Sequence, residues 1–359
     1  MTAIKGRGAP GNSESKRFNL PSREADGDWL DLRMADEEDQ PSPLRTTVTI
    51  EQARTIISRN TSPDIGFEQS VNAYRGCEHG CIYCFARPSH ARYDLSPGLD
   101  FESRLFAKPG AAKLLRAELG KRNYVVKTIA MGTNTDPYQP IEAQYRITRD
   151  CIAVLADCRH PLMITTKSNR VLRDLDLLAP MAAQGLVAVA ISLTTLDSGL
   201  HRKLEPRAPS PASRLAAIRG LSQAGVPTHA SLSPMIPAIN DHEIEALVEA
   251  AAEAGAQSVS FIPVRLPFEV APLFRDWLDA HFPDRAGKVM SLIQSIRGGR
   301  DNDPNYGTRM RGSGPYADLI RTRFKIAQAR HGLANGRLAL RHDLFVPPRD
   351  QGDLFSATC

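Results

Sequence analysis

From about residue 68 to residue 264 the chain alternates short β-branched runs with segments of helical spacing. The runs are "SVNAYR" (70–75), "KTIAMG" (127–132), "PLMITT" (161–166), "LVAVAISLT" (186–194), "PTHASLS" (227–233) and "QSVSFIPV" (257–264). Strands that alternate with helices pair in parallel through right-handed crossovers. Six consecutive units therefore predict an α/β fold, a partial TIM-like (β/α)6 barrel, with its functional side chains at the carboxyl ends of the strands.

The segments between these runs carry their own boundary signals. The segments are "RITRDCIAVLADC" (146–158), "RVLRDLDLLAPMAAQG" (170–185), "SRLAAIRGLSQAG" (213–225) and "DHEIEALVEAAAEAG" (241–255). Three of them end in glycine just before the next run, as expected for a helix stop. At the start of the last segment, Asn240 followed three residues later by Glu243 predicts a capping box.

Two regions of different character flank this core. Residues 1–60 begin rich in Gly, Pro, Ser and charge, and predict a largely flexible N-terminal arm before a core over 61–268. After the core, amphipathic patterns at 274–282, 288–297 and 315–333 predict a basic helical C-terminal extension over 269–359.

The composition indicates a soluble enzyme. Hydrophobic residues make up 42% and charged residues 24%, which is ordinary for a globular protein. No apolar run approaches the ~18–20 residues that cross a bilayer, and the N-terminus shows no signal-peptide core. We expect a cytoplasmic protein without a membrane partner.

The positive charge is concentrated near the C-terminus. Residues 297–341 hold ten Lys or Arg against three Asp, whereas the whole chain has a net charge of +5. Such a stretch is either a solvated surface or a face that meets the phosphates of a nucleic acid or of another anionic partner. The sequence leaves both interpretations open.

The segment "NAYRGCEHGCIYCFARP" (72–88) holds half of the six cysteines: Cys77, Cys81 and Cys84. Thiols this close form disulfides only with strain, whereas thiolates bind soft metals. Most electron-transfer clusters use four cysteines, so three at C-x3-C-x2-C would leave one iron of a cubane cluster without a protein ligand. The spacing favours an iron–sulfur cluster with one open coordination position.

Two other interpretations of this loop remain open. A structural zinc site would need a fourth ligand, which His79 or His90 can supply. His79, however, lies between two of the cysteines, and the chain has no second C-x2-C. The third interpretation, a loop of buried structural thiols, is disfavoured by Glu78, His79 and the glycines.

With Tyr83 directly before the last cysteine, and with the loop following the first of six strands, residues 65–270 resemble the radical SAM superfamily. The resemblance implies that the three cysteines hold a [4Fe–4S] cluster whose fourth iron chelates S-adenosylmethionine (SAM). It implies that one-electron reduction cleaves SAM to methionine and a 5′-deoxyadenosyl radical. It also implies a flavodoxin or ferredoxin as the electron donor.

The downstream motifs resemble the branch that contains spore photoproduct lyase and DNA repair photolyase-like proteins. They are "MGTNTDPYQPIE" (131–142), "ITTKSNR" (164–170), "ISLTTLD" (191–197) and "EPRAPSPASR" (205–214). The resemblance implies that Thr135 and Asp136 contact SAM, that Lys167 binds its carboxylate, and that Ser192 lies near the same group. A ligand with a carboxylate, an ammonium and ribose hydroxyls needs such a set of side chains.

Other side chains near these motifs have two possible roles each. Tyr83 and Phe85 either form a wall for the adenine or pack beside the cluster. Glu205 and Arg207 either bind SAM or substrate, or pair with each other and fix a loop; Arg214 is equally ambiguous. No catalytic residue beyond the cluster and SAM site is identified.

One departure from the lyase concerns its chemistry. The lyase has a cysteine after its second strand that returns a hydrogen atom to the substrate radical, and Thr133 stands at the matching place here. A threonine O–H bond is too strong for that role. Cys151 and Cys158 fall on one helical stripe and are predicted core thiols, and the terminal Cys359 is predicted to be exposed.

The sequence thus predicts a radical SAM enzyme that abstracts hydrogen from its substrate, and the basic segment 297–341 makes a nucleic acid or nucleotide one candidate substrate. Two alternatives stay open. One is a radical SAM tailoring enzyme that acts on a peptide or small molecule. The other is a non-catalytic iron–sulfur or zinc protein. That alternative does not explain why Thr135, Asp136 and Lys167 stand at the ends of successive strands.

Overall fold

The computed structural model describes residues 4, 6–13, 15, 17, 44–335 and 339–348. Its main sheet has eight strands: β2 (Ile57–Arg59), β3 (Gln69–Val71), β6 (Ile129–Met131), β7 (Leu162–Thr166), β8 (Val187–Ser192), β9 (Thr228–Ser231), β10 (Ser258–Ser260) and β11 (Ala334–Asn335). Their spatial order is β11-β10-β9-β8-β7-β6-β3-β2, and only β2 is antiparallel to its neighbour. The six predicted strands are therefore present as one parallel run from β3 to β10.

A smaller sheet lies beside the first strand of the main one. It contains β1 (Thr47–Ile50), β4 (Tyr74–Arg75) and β5 (Arg104–Ala107), in the order β1-β5-β4. Within the described residues β11 and β2 are not paired with each other, so the main sheet is open. The partial barrel predicted from the sequence is confirmed as an open, mostly parallel α/β sheet.

Helices connect and cover the strands. They are α1 (Leu99–Ser103), α2 (Ala111–Leu119), α3 (Glu142–Tyr145), α4 (Ile147–Asp157), α5 (Leu175–Ala183), α6 (Ser198–Leu204), α7 (Pro211–Gln223), α8 (Ile244–Glu253), α9 (Val270–His281), α10 (Pro283–Ser295) and α11 (Pro315–Arg330). Short 3-10 turns occur at Arg87–Tyr93, Asn169–Asp174 and Asp241–Glu243. The four helices predicted between strands and the three predicted after residue 268 are all present.

The two faces of strand β8 carry side chains of different size. Val187, Val189 and Ile191 belong to the large hydrophobic core that the surrounding helices complete. Successive side chains of a strand point to opposite faces, so Ala188, Ala190 and Ser192 line the other face. The side chains on this second face are small and buried, at 6–8% exposure.

The local signals at helix ends have mixed outcomes. Gly185, Gly225 and Gly255 all have positive φ, at +71°, +74° and +95°, as predicted for helix stops. The predicted capping box is wrong. Asn240 instead donates hydrogen bonds to the carbonyls of Thr194 and Pro234. These bonds link the loop after β8 to the loop after β9.

Part of the predicted N-terminal arm is packed. Arg7, Gly8, Ala9 and Pro10 are buried, and the first three donate hydrogen bonds to Glu102 of α1, so these residues are not a mobile tail. On the opposite flank, α9 and α10 share a second hydrophobic cluster with Cys81, Ile82 and Tyr83. We still propose boundaries near residues 60 and 268, with both flanks packed onto the core.

None of the helices in the described part of the chain combines the length and apolar composition that a bilayer-spanning helix requires.

Candidate cluster and cofactor site

The three cysteines lie in one loop that follows β4. Cys77 and Cys81 are buried, Cys84 is partly exposed, and none of the three forms a disulfide. The loop turns through Gly76 and Gly80, whose φ angles of +72° and +67° lie in the left-handed region that glycine adopts without strain. This turn brings three free thiols together at the start of the parallel sheet.

A buried ion pair fastens the loop. The Arg87 and Glu102 side chains are fully buried and lie 2.5 Å apart. Arg87 also donates to the carbonyls of Cys81 (2.9 Å) and Gly80 (3.2 Å), and the backbone N–H of Cys77 donates to Phe101 (3.0 Å). The loop backbone is therefore held independently of its thiols.

Burial governs the protonation of the cysteine thiols. Burial raises the pKa of the Cys77 thiol well above its usual value and that of Cys81 to about 12. Both thiols therefore hold protons until a metal displaces them. In the described residues no group of three or more His, Cys, Asp or Glu converges on a single-ion position. Cysteines that bind different irons of a cubane do not need such convergence.

Lys167 lies just beyond β7, with Nζ 5.8 Å from the centre of the Tyr83 ring. Burial alone would lower the pKa of Lys167, but Cys81 and Glu205 nearby raise it above the usual value. In the part of the chain that the structure describes, no side chain accepts a hydrogen bond from Nζ. Lys167 is thus a charged group beside the thiols with free hydrogen-bonding capacity.

Glu205 is the centre of a buried network. Its carboxylate accepts hydrogen bonds from Arg214, from Tyr83 and from the Thr194 hydroxyl, the last at 2.8 Å. Burial would raise the pKa of Glu205, but Arg214 and Lys167 lower it to about 2. The carboxylate is therefore ionised, and it fixes the position of the Tyr83 ring.

Arg207 and Glu205 do not pair with each other. Arg207 forms an ion pair with Glu78 at 2.9 Å, and its backbone N–H donates to the carbonyl of His79 at 3.3 Å. Both partners lie between Cys77 and Cys81. Of the two roles left open by the sequence, the structure shows Arg207 fixing a loop, but the cysteine loop rather than its own.

Asp136 follows β6, and both of its carboxylate oxygens are engaged. Oδ1 accepts from the Thr166 hydroxyl (2.6 Å), and Oδ2 accepts from the Lys167 backbone (2.8 Å) and lies 3.4 Å from His79 Nδ1. Burial would raise the pKa of Asp136, but His79 and these hydrogen bonds hold it well below the usual range. Thr135 is also engaged, since its hydroxyl donates to the Gly76 carbonyl at 2.6 Å.

Of the remaining predicted residues, three are buried, one is exposed and one lies outside the described residues. Ser192 is buried at the end of β8 on the small-residue face, where its neighbour in register is Ser231. Phe85 is 56% exposed and therefore does not line a buried pocket with Tyr83. Cys151 and Cys158 are confirmed as core thiols, at 0% and 1% exposure. Cys359 lies outside the described residues.

The two histidines that could supply a fourth metal ligand have other contacts. His90 Nε2 lies 2.9 Å from the Arg104 carbonyl, and its ring packs against Phe101 and Phe106. His79 Nδ1 faces Asp136. Both side chains thus have contacts away from the three thiols.

The basic segment is less available than its composition indicates. Five of its ten cations are bonded within the protein: Arg297, Arg309, Arg321, Arg323 and Arg341. Arg337 lies outside the described residues. Arg300, Arg311, Lys325 and Arg330 have no ion pair within the described part of the chain. These four cations carry what remains of the predicted phosphate-binding face.

Two of these free cations line a cavity of about 570 Å³ beside the end of β10. Arg311 and Lys325 share its wall with Arg321, Phe261 and Phe324, and no Asp or Glu contributes to the lining. The two phenylalanine rings lie 4.8 Å apart. The cavity is therefore basic with an aromatic wall.

The cavity and the small-residue face are adjacent. Ser192, Ser231 and Ser260 are in register across β8, β9 and β10, and Ser260 lines the cavity. Parallel strands lie about 4.8 Å apart, so this row spans roughly 10 Å from the hydroxyl of Ser192, a predicted SAM contact, to the cavity. His229 Nε2 holds Ser260 at 2.7 Å.

Several residues that build the site were not identified from the sequence. Gln139 accepts from the Glu78 backbone and donates to Thr135, and Arg87 and Glu102 support the loop from outside its motif. One signal was available. Arg87 lies three residues after Cys84, and an arginine this close to a metal loop suggests a contact with its backbone carbonyls.

Comparisons with known proteins identify the family of the chain. Residues 71–251, half of the chain, match the model of the "Radical SAM superfamily". An uncharacterized protein of Mycobacterium tuberculosis is 38% identical over 230 residues, which cover 64% of this chain and 68% of that protein. An uncharacterized protein of Methanocaldococcus jannaschii is 30% identical over 178 residues, 50% of this chain and 64% of that protein.

Solved structures show the fold. Spore photoproduct lyase complexed with dinucleoside spore photoproduct superposes with a TM-score of 0.56 at 15% identity, over 79% of each chain. A point mutant of spore photoproduct lyase gives 0.54 at 15% identity, over 85% of this chain and 92% of that one. The superfamily uses a [4Fe–4S] cluster and SAM, for which the three-thiol loop is suited. The chain belongs to the radical SAM superfamily and has a fold similar to that of spore photoproduct lyase.

Proposed function

We propose that Cys77, Cys81 and Cys84 bind a [4Fe–4S] cluster and that the protein cleaves SAM reductively to abstract hydrogen from a substrate. The observation that supports this is a loop of three free thiols, held by the buried Arg87–Glu102 pair. Bound together, cluster and SAM supply a 5′-deoxyadenosyl radical after one-electron reduction. The protein's own part is to bind and orient the two.

Lys167 and Ser192 are the proposed SAM contacts. The free ammonium of Lys167 suits the SAM carboxylate, and the Ser192 hydroxyl lies at the end of the next strand. Tyr83, whose hydroxyl is bonded to Glu205, offers its ring as a wall for the adenine.

For the other predicted contacts we propose positioning roles. The carboxylate of Asp136 is used within the protein, where it places the Lys167 backbone and His79. Thr135 ties the strand end to Gly76, and Glu205 orients Tyr83. Arg207 holds the cysteine loop through Glu78. These residues act on SAM through their neighbours.

We propose a fate for the substrate radical that differs from the one implied by the lyase resemblance. Thr133 exchanges hydrogen bonds with Asn72, and its O–H bond cannot return a hydrogen atom. Cys151 and Cys158 are enclosed in the core. We therefore propose SAM cleavage and hydrogen abstraction, without return of hydrogen from a cysteine at the strand-two position.

The substrate we propose is a nucleic acid or nucleotide. The basic cavity supports this, because Arg311 and Lys325 suit phosphate and the Phe261–Phe324 wall suits a base. Its volume of about 570 Å³ is that of a small-molecule site. The register of Ser192, Ser231 and Ser260 supports a cavity close to the proposed SAM contact at Ser192.

A reduced flavodoxin or ferredoxin is the proposed electron donor. We also propose a cytoplasmic location, since the five cysteines in the described part of the chain are all free thiols, as expected in a reducing compartment.

The first experiment is anaerobic reconstitution with iron and sulfide, followed by SAM and dithionite and an assay for 5′-deoxyadenosine. Its formation, dependent on the cluster, supports radical SAM chemistry. A protein that carries a full cluster but forms no 5′-deoxyadenosine, even with candidate substrates, contradicts it. Tightly bound zinc in place of iron would favour the non-catalytic alternative.

The substrate class is tested by binding at several salt concentrations. A 5′-phosphorylated single-stranded oligonucleotide should bind the holoprotein with an affinity that falls as salt rises. Binding that is absent or insensitive to salt would favour the peptide or small-molecule alternative.

A further inference from the structure

Residues 7–10, here called the strap, lie across the cysteine loop. Arg7 is 7% exposed and Ala9 is fully buried. Ala9 belongs to the same hydrophobic cluster as Cys81, Ile82 and Tyr83. A segment from the start of the chain thus covers the backbone of the proposed cluster site.

The closest approach is between two glycines. A Cβ atom built on Gly8 would lie 1.6 Å from the carbonyl oxygen of Gly80, which stands between Cys77 and Cys81. No side chain fits at that distance, and the atom it meets is backbone that cannot rotate away. Gly8 is therefore required by contact with the cysteine loop.

One carboxylate joins the strap to the loop. Glu102 accepts hydrogen bonds from the backbone N–H groups of Gly8 (3.0 Å) and Ala9 (2.8 Å). The same carboxylate pairs with Arg87, which donates to the carbonyls of Gly80 and Cys81. Strap and loop are thus fixed through one fully buried ion pair.

The strap is also anchored at both ends. At its first residue, the Arg7 guanidinium donates to the carbonyls of Glu102 (2.8 Å) and Leu44 (2.5 Å). After it, the Asn12 side chain exchanges two hydrogen bonds with Asp100, at 3.1 and 3.3 Å. These anchors do not involve the thiols or the proposed SAM contacts.

We propose that the strap is part of the cluster site: it positions the Gly80–Cys81 backbone and shields the bound cluster from solvent. This inference rests on the proposed cluster binding. Residues 7–10 thereby contribute to the cluster site from outside the six β/α units of the core. The rate at which the cluster is lost then depends on local opening of the strap rather than on global unfolding.

The test compares two identical substitutions. Gly8→Ala places a methyl group against Gly80, whereas Gly110→Ala places one where no atom lies within 4 Å and φ is −76°. Each reconstituted holoprotein is mixed anaerobically with the ferrous chelator bathophenanthroline disulfonate, and iron release is followed by absorbance. Gly8→Ala should release iron faster by on the order of tenfold, the factor expected when two hydrogen bonds are weakened. Gly110→Ala should match the unmodified protein.

Asn12→Ala keeps the inference testable if Gly8→Ala does not fold. It removes an exposed anchor without a clash, so it should accelerate iron release in the same direction by a smaller factor. A loss of thermal stability in either variant with an unchanged rate of iron release would overturn the inference. If the unmodified protein takes up no iron–sulfur cluster, the proposed function fails instead, so the two failures are distinguishable.

Discussion

Replacing Glu205 with glutamine tests how the site is held together. Glu205 is fully buried, and its partner Arg214 has a side chain only 1% exposed. Glu205→Gln keeps the size of the side chain and one acceptor oxygen for Tyr83 and Thr194. It removes the charge opposite Arg214, and no other carboxylate in the described part of the chain pairs with that guanidinium.

Two lines of reasoning give the same magnitude. Removing one partner of a buried ion pair costs roughly 3–5 kcal/mol of unfolding free energy, because the other charge stays buried. Independently, Glu205 has a pKa of about 2 in the folded protein against an ordinary value of 4.5. At about 1.4 kcal/mol per pKa unit, that difference corresponds to about 3 kcal/mol. Because the folded-state pKa is the lower one, this stability is present above pH 4.5 and is lost as pH falls toward 2.

The assay is urea unfolding at neutral pH, followed by circular dichroism. Glu205→Gln should lose about 3 kcal/mol, and adding Arg214→Met should restore most of it, since no unpaired charge then remains buried. The control is Asp318→Asn, which breaks an exposed pair with Arg321 and should change stability by less than about 0.5 kcal/mol. If Glu205→Gln is as stable as the unmodified protein but no longer binds SAM, Glu205 is a ligand and the structural role argued here is refuted.

Three further substitutions probe the site and the cavity. Cys81→Ala should abolish both the visible iron–sulfur absorbance and 5′-deoxyadenosine formation, whereas Cys158→Ala, in the core, should retain both; an active Cys81→Ala protein would contradict the cluster assignment. Lys167→Met should keep the cluster absorbance but weaken SAM binding, by roughly 10- to 100-fold in equilibrium dialysis, as for the loss of a hydrogen bond to a charged group. Unchanged SAM affinity would exclude Lys167 as the carboxylate partner. Arg311→Gln should weaken binding of the phosphorylated oligonucleotide and reduce its salt slope by about 1, while Arg341→Gln, at an internally paired arginine, should alter neither.

The sequence was a good guide to what periodicity and strand order determine. Each β-branched run became a strand of the parallel sheet, and the polar residues after β6, β7 and β8 meet at one edge because parallel strands end together. The thiols of Cys151 and Cys158 were recognisable as core from their helical spacing. These features depend on local pattern alone.

Pairing between distant residues was not readable. Glu205 and Arg207 are two residues apart, and the sequence left open whether they pair with each other or bind SAM or substrate. In the structure one carboxylate meets Arg214, on α7, and the guanidinium meets Glu78, in the cysteine loop. Two residues that flank a proline point to different elements, and only the tertiary fold determines which partner each one finds.

The N-terminal segment shows how composition can mislead. A stretch rich in glycine and proline predicts flexibility, because such residues cannot bury much apolar surface. At Gly8 the missing side chain has the opposite effect, since it permits backbone contact with Gly80. A glycine can belong to a mobile segment or make a close backbone contact. The sequence does not show which surface lies opposite it in the fold.

The charges around the cysteine loop have a pattern that bears on function. Three buried carboxylates there each have a guanidinium: Glu102 pairs with Arg87, Glu205 with Arg214, and Glu78 with Arg207. Lys167 is the exception among the described cations of the site, because no side chain accepts a hydrogen bond from its ammonium group. The carboxylates of Glu205 and Asp136 lie close enough to raise the pKa of Lys167, but neither accepts a hydrogen bond from its ammonium group. A cluster held by thiolates and the carboxylate of SAM are both anions, so the open hydrogen-bond donors of Lys167 lie where the proposed chemistry needs them.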